Sequence, residues 1–382
     1  MVRHCAGLPL AIIVLGGVLA RKNSLNEWET VSESVKSYLK RGKGQGIEDV
    51  LELSYDDLPP YLRSCFLYLS HFSEDYEIST KRLIQLWVAE CIVLSNQNER
   101  NGGKIVEDVA KCYLIELTER CMIQVGERDA LSKIKTCCMH DLMRDLCLSK
   151  AKEENFLCIV DHLSGNQFGK DFSSPTIRGV RRVEAHVFPQ VQCIKSPHLR
   201  SFSFLFEFTP KQTKALTNPK IVEPNLLDLL RLNHMLWRSW THMFNNFKLL
   251  RVLNFEGRFG DAGVNLSSDI EIGKLPEYHH FSSNIADIYL RICNLVEDPM
   301  PTLGRLPNLR ILKVYKHAFT GKEMACCTQS FVKLDFLSIR RLHNLEEWKV
   351  DEGAMPALRH LKIYKCKNLE MLPNGLRSTN VF

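Results

Sequence analysis

Several things are missing from this 382-residue sequence, and each absence removes a class of function. No Gly-Lys pair continues as G-x-x-x-x-G-K-[S/T]: Gly42-Lys43, Gly103-Lys104, Gly169-Lys170, Gly273-Lys274 and Gly321-Lys322 are followed by Gly, Ile, Asp, Leu and Glu. That pattern supplies the amides that cradle phosphates, with a lysine and a hydroxyl for phosphate and Mg²⁺. Without it these residues are not expected to hydrolyse a nucleotide. H-E-x-x-H, G-x-S-x-G and G-x-G-x-x-G are also missing, so zinc hydrolysis, serine hydrolysis and dinucleotide chemistry have no support. Glu153-Glu154 and Glu346-Glu347 are adjacent, and read as solvated charges, not as an acid/base pair. No catalytic residue and no enzyme activity is expected.

Cys-x-x-Cys does not occur among the 14 cysteines, and the adjacent pairs Cys137-Cys138 and Cys326-Cys327 are poorly placed to share a metal. Cys65, Cys112 and Cys293 sit in apolar runs, where cysteine serves as a small hydrophobe. A reducing, cytoplasmic setting with no metal follows. There is no run of five like charges, and the formal net charge is only +6, so nucleic-acid binding has little support. The apolar run Leu8–Ala20 behind Arg3 and His4 imitates a secretory signal. It is shorter than the roughly 20 residues needed to span a bilayer.

What is present is globular: 45% hydrophobic and 25% charged residues, enough for two or three domains. Residues 8 to 150 read as helices with tight connections. Ser24-x-x-Glu27 is a capping box, followed by Trp28, Val31, Val35 and Leu39 at helical spacing. Gly42, Gly44 and Gly46 make a break. A second helix carries Ile47, Val50, Leu51, Leu53 and Leu58 and stops at Pro59-Pro60. Leu62, Cys65, Phe66 and Leu69 begin a third. Thr80 is expected to cap a fourth with Leu83, Ile84, Trp87 and Val88 inward. A fifth, from about Lys104, buries Ile105, Val109, Leu114 and Leu117. Met122–Val125 and Ile134–Cys138 then read as two strands around a polar loop, with a further helix from Asp141. Helices followed by a hairpin give the element order of a winged helix. The fifth helix, Lys104 to Arg120, carries three basic and four acidic residues, the wrong sign for a phosphate-lined groove.

Residues 152–176 read as a linker. Beyond it a template recurs: Leu250-x-x-Leu253-x-Phe255, Ile285-x-x-Ile288-x-Leu290, Leu309-x-x-Leu312-x-Val314, Leu334-x-x-Leu337-x-Ile339 and Leu358-x-x-Leu361-x-Ile363. From Ile288 onward the step is 24 or 25 residues, inside the range of leucine-rich repeats. Each turn offers one short strand whose leucines find cover only against neighbouring turns. The step from Leu253 to Ile288 is 35, so residues 257 to 283 hold a degenerate repeat, a loop or a deletion. Leu199-x-x-Phe202-x-Phe204 has the same form but irregular neighbours, and is not counted.

These residues resemble a family. Cys5-Ala6-Gly7-Leu8-Pro9-Leu10-Ala11 is similar to the GLPL signature of the first ARC subdomain of plant NB-ARC–leucine-rich-repeat disease-resistance proteins. Leu53-Ser54-Tyr55-Asp56-x-Leu58-Pro59, then Cys65-Phe66-Leu67-Tyr68 and Phe72-x-Glu74-Asp75-Tyr76-x-Ile78, resemble the second ARC subdomain in its coiled-coil (non-TIR) version. Leu83-Ile84-x-Leu86-Trp87-x-Ala89-Glu90 continues it, and Met139-His140-Asp141 resembles the MHD motif that closes it. Ser73 stands where that family usually has proline. Asp298-Pro299-Met300-Pro301-Thr302-Leu303 resembles repeats of this class.

The resemblance implies a multidomain chain: an ARC1 helical remnant (1–46), a winged-helix ARC2 subdomain (47–151), a linker (152–176) and an α/β leucine-rich-repeat solenoid (177–382). It implies a nucleotide switch, with ADP closing and ATP opening it in the complete family. Pro9 would touch the adenine, His140 would face the ADP β-phosphate, and Asp141 would hold the closed form. The same residues also suit local roles: Pro9 as a helix start, His140 satisfying a backbone group, Asp141 as an N-cap. By the resemblance the residues begin inside the ARC1 helices, behind the nucleotide-gripping half, so tight ADP binding by them alone is not expected. The expected function is that of an innate-immune receptor fragment in defense. Its repeats would recognise a pathogen effector or a guarded host protein, without nucleic acid or a membrane span. A nucleotide-free regulator that docks on the NB domain of full-length relatives, and a non-functional truncated product, stay open beside it.

Overall fold

The computed structural model describes Cys5 and residues 8–41, 47–72, 76–93, 106–160, 180–185, 194, 196–208, 246–259 and 273–376. Ala6, Gly7, the Gly42, Gly44 and Gly46 break, Ser73 to Asp75, Ile105, Pro175 and much of the 257–283 interval lie outside them. The chain forms two compact units, Met1–Leu157 and Cys158–Phe382.

The first unit opens with α1 (Pro9–Leu19), in which proline occupies the first turn, where its missing N–H costs nothing. Leu10, Ala11, Val14, Leu15 and Val18 are buried, and Ala11, Leu15 and Val18 join Cys5, Val31, Val35, Val50 and Leu53 in one cluster. The run that imitates a signal peptide is thus a core helix. Among the described residues no helix is long and apolar enough to cross a membrane.

Helix α2 (Leu25–Arg41) starts on the predicted box. The Ser24 amide donates to Glu27 Oε2 at 3.0 Å, and the Glu27 amide donates back to Ser24 Oγ at 3.3 Å. Trp28, placed by its spacing on the inward face, is 42% exposed, and its indole N–H donates to the Lys22 carbonyl at 3.2 Å.

Helices α3 (Ile47–Asp56) and α4 (Pro60–Leu67) follow, the second ending in a 3-10 turn at Tyr68–His71. The two-residue strand β1 (Ile78–Ser79) then leads into α5 (Thr80–Ala89). The N-cap of α5 is Ser79, not Thr80. The Thr80 hydroxyl instead donates to the Ile134 carbonyl at 2.7 Å and ties the helix start to the hairpin. After α6 (Val106–Glu119) come β2 (Gln124–Val125) and β3 (Thr136–Cys138), and then α7 (Asp141–Glu153). Cys112 is exposed on α6, and does not fill the core position assigned to it above. The three strands form one antiparallel sheet in the order β1-β3-β2. Helices, hairpin and third strand make the winged helix.

The second unit is built on parallel strands: β4 (Cys158–Val160), β5 (Arg182–Ala185), β6 (Ser201–Phe208), β7 (Val252–Phe259), β8 (Asp287–Arg291), β9 (Ile311–Tyr315), β11 (Phe336–Arg340) and β13 (His360–Tyr364). They lie side by side in chain order in one eight-stranded sheet, which is open and not a closed barrel. Strands β10 (Glu323–Cys326) and β12 (Glu347–Val350) make a separate parallel pair. Strand β4 falls inside the 152–176 stretch read as linker. It pairs with β5, so the sheet begins there.

The register follows the repeat. Leu253 is opposite Ile288, Ile288 opposite Leu312, Leu312 opposite Leu337, and Leu337 opposite Leu361. Phe202, left uncounted in the sequence, stands opposite Leu253 and continues the same row. These side chains and the row of Phe204, Phe255, Leu290, Val314 and Ile339 point into one core. Two residues apart on a strand lie on one face, so the residues between and beside these rows point to the other face of the sheet.

Candidate functional site

Met139-His140-Asp141 lies where β3 hands over to α7. His140 is the N-cap of that helix, in extended conformation, and its Nδ1 accepts from the Leu142 amide at 3.3 Å. An imidazole nitrogen that accepts carries no proton, so the neutral ring keeps its hydrogen on Nε2 as a donor. Asp141 is the first helical residue and is exposed, its charge matched to the positive end of the helix. The capping role considered for Asp141 therefore belongs to His140. Pro9 is exposed at the start of α1. Helices α1 and α7 both pack on α3. No hydrogen bond or ring contact joins Pro9 to His140 among the described residues.

The body of α7 is tightly held. Met143, Cys147 and Ala151 are buried. Arg144 Nε donates to the Phe72 carbonyl at 3.0 Å, and the Cys147 thiol donates to the Phe66 carbonyl at 3.2 Å. Farther along, Lys150 pairs with Glu52, and the buried Tyr55 hydroxyl donates to Glu154. Burial pushes the Tyr55 hydroxyl well above its ordinary range, and the Glu154 bond adds to that. The Leu53-Ser54-Tyr55 motif thus braces α7: Tyr55 holds its far end, while Ser54 bonds within its own helix to the Leu51 carbonyl at 2.6 Å.

A charged network that the sequence reading missed fastens the neighbouring elements. Asp57, just after α3, takes Lys22 Nζ at 2.6 Å on one oxygen and Arg120 at 3.0 Å on the other. Arg120 also bonds Glu116 at 3.2 Å, and Tyr61 donates to Glu116 at 3.0 Å. The four-residue spacing of Glu116 and Arg120 is the one local signal; Lys22, Asp57 and Tyr61 come from other parts of the chain and carry none.

A phosphate needs several converging N–H donors and a cation. The start of α7 offers one imidazole donor, a carboxylate and the amides of a single helix turn, with the Leu142 amide already donating to His140, and Arg144 bonds the Phe72 carbonyl through Nε. His140, Asp141 and Pro9 by themselves do not fit an ADP cradle. Among the described residues no group of three His, Cys, Asp or Glu could hold a metal ion.

Residues 72–147 match the family model of the disease resistance protein winged helix domain. Along 99% of its length the chain is 30% identical to "Probable disease resistance RPP8-like protein 2" of Arabidopsis thaliana, and covers 56% of that protein. It is 29% identical to "Disease resistance RPP8-like protein 3" of the same plant, over 99% of this chain and 56% of that one. The chain spans little more than half the length of these relatives. The alignments run to 516 and 517 residues, more than the chain holds, so the relatives carry segments inside the matched stretch that it lacks. Winged helix and end-to-end similarity together make this chain a relative of the plant disease resistance proteins.

Proposed function

We propose that the chain acts in plant defense as part of an innate-immune receptor, with a leucine-rich-repeat solenoid that recognises a protein and an ARC segment that carries the closing motif of a nucleotide switch. The observation behind this reading is the row Leu253, Ile288, Leu312, Leu337 and Leu361, in register across parallel strands and, from Ile288 onward, at the repeat step. Stacked turns of this kind bury one face and leave a long second face for a partner. The partner class is a pathogen effector or a guarded host protein, met in the cytoplasm, with no catalysis and no nucleic acid.

In this reading, His140 and Asp141 act once a nucleotide-binding half supplies the amides and lysine they lack. The test is a hybrid with the N-terminal half of a relative joined ahead of these residues. There Asp141→Val is expected to trigger cell death without an elicitor, and the 382 residues bearing the same change are expected to trigger none. A silent hybrid would overturn the switch.

The incomplete phosphate cradle favours a second reading, a nucleotide-free module that docks on the NB domain of a full-length relative. Co-precipitation with a separately expressed NB half, without added nucleotide, is its expected result. No association counts against it.

A further inference from the structure

The face of the sheet opposite the core changes character along the strands. On β7 and β8 it is neutralised, because Arg291 is paired with Glu256 and Asp287 is buried. From β9 onward the strands and the residues that directly follow them carry charge of one sign. The segments 311–317, 336–343 and 360–367 contain seven Lys and Arg and not one Asp or Glu.

Tyr315, Arg340 and Tyr364 form one register row across β9, β11 and β13. Lys316, Arg341 and Lys365 follow directly on the same three strands, and their backbones continue the ladder: Lys316 N–H donates to the Arg340 carbonyl and Arg341 N–H to the Tyr364 carbonyl, each at 2.8 Å. Arg341, Lys362, Lys365 and Lys367 are exposed, and Lys316 and Arg340 are half-buried. Among the described residues none of Lys316, Arg341, Lys362, Lys365 or Lys367 has an ion-pair partner.

The two-stranded sheet of the same repeats is the opposite case. There Lys322 pairs with Glu346 at 2.9 Å, and Lys349 with Glu347 at 2.9 Å and Glu323 at 3.4 Å. Acids and bases neutralise each other beside the two-stranded sheet, while among the described residues Lys316, Arg341, Lys362, Lys365 and Lys367 at the ends of β9, β11 and β13 have no acidic partner.

We propose that the strand-end rim of β9, β11 and β13 is a docking surface for an acidic segment of a partner protein. The proposal rests on reading the sheet as a recognition surface, and deepens it by naming the chemistry of the partner. Charge complementarity selects an anion. The size of the strip selects a short peptide segment: three strands at about 4.8 Å spacing span only about 10 Å. The aromatic rings are already covered by the protein's own cations, with Arg340 5.1 Å from the Tyr315 ring centre and Lys365 5.2 Å from that of Tyr364. They are therefore poor platforms for stacking bases.

The test uses the full chain and fluorescein-labelled hexaglutamate, read by anisotropy at low and physiological salt. Binding that weakens with salt, and is absent for hexaglutamine, is expected. The rim triple Lys316→Gln, Arg341→Gln and Lys365→Gln is expected to weaken it about tenfold or more through the loss of three charge pairs. The control triple Lys322→Gln, Lys333→Gln and Lys349→Gln, with the same change in net charge, should leave it unchanged. No binding by the wild-type chain overturns the proposal. So does equal weakening by both triples, or tighter rim-dependent binding of a single-stranded oligonucleotide or of phosphoinositide vesicles. A failure of the sheet as a recognition surface would show elsewhere: a complete receptor whose elicitor response no strand-face substitution alters.

Discussion

Gly17 on α1 lies so close to the main chain of Arg120, at the end of α6, that a Cβ at position 17 would sit 2.6 Å from the Arg120 carbonyl oxygen. The same arginine extends its side chain to Asp57. Backbone and side chain of one residue thus fasten the first helix and the α3–α4 turn to the winged helix.

Gly17→Ala is expected to destabilise the first unit by about 1–3 kcal/mol, since backbone on both sides must shift. Gly16→Ala, one residue earlier with nothing within 4 Å, should stabilise by about 0.5–1 kcal/mol through lower unfolded-chain entropy. Urea unfolding of both variants checks the pair. A Gly17→Ala protein as stable as its parent would show that the close approach is not made.

Arg120→Ala leaves the Glu116 and Asp57 carboxylates short of a partner in a site where the arginine side chain is 10% exposed. The expected cost is about 2 kcal/mol. Combined with Asp57→Asn, the loss should be clearly less than the sum of the two single losses. Strict additivity in that double-mutant cycle would mean the pair contributes nothing.

His140→Ala removes the α7 cap and should cost about 1 kcal/mol. His140→Asn keeps an oxygen acceptor at the N-cap and should regain most of that. In the hybrid receptor both variants should change the switch if the Nε2–H matters for nucleotide state, although only His140→Ala loses stability; a His140→Asn hybrid that responds to elicitor as its parent does would remove the Nε2–H from the switch.

Burial raises the Cys137 thiol from its ordinary 9.0 to about 12. A raised folded-state value means stability that is complete below pH 9 and is lost as pH rises from there through 12. The slope for this one group is at most about 1.4 kcal/mol per pH unit. Tyr55 and Cys147, also raised by burial, act in the same direction. Urea midpoints between pH 8 and 11 should fall with pH, and Cys137→Ala should fall less steeply. Identical slopes would remove Cys137 from the account.

Features that depend on near neighbours in the chain were readable. The Ser24–Glu27 box needs only a three-residue spacing, and it closes as expected. The repeat rows needed only the recurrence of leucine. Phe202 went uncounted because its partner in the row, Leu253, stands 51 positions away with no 24-residue rhythm between them. Strand β1 is two residues long, too short for a period of two to register, and Thr80 was misread because its true partner, Ile134, is 54 residues off.

The sequence alone determined the local grammar: which stretches coil, which recur, and which tripeptides mark a helix start, because those depend on side chains a few residues apart. Tertiary structure decided the rest. Tyr55 meets Glu154 and Asp57 meets Arg120 only after the chain has folded back, and no spacing rule foretells either. The basic rim is of the same kind. Lys316, Arg341 and Lys365 stand about 25 residues apart in sequence, and become one patch only when parallel pairing brings their strands to about 4.8 Å.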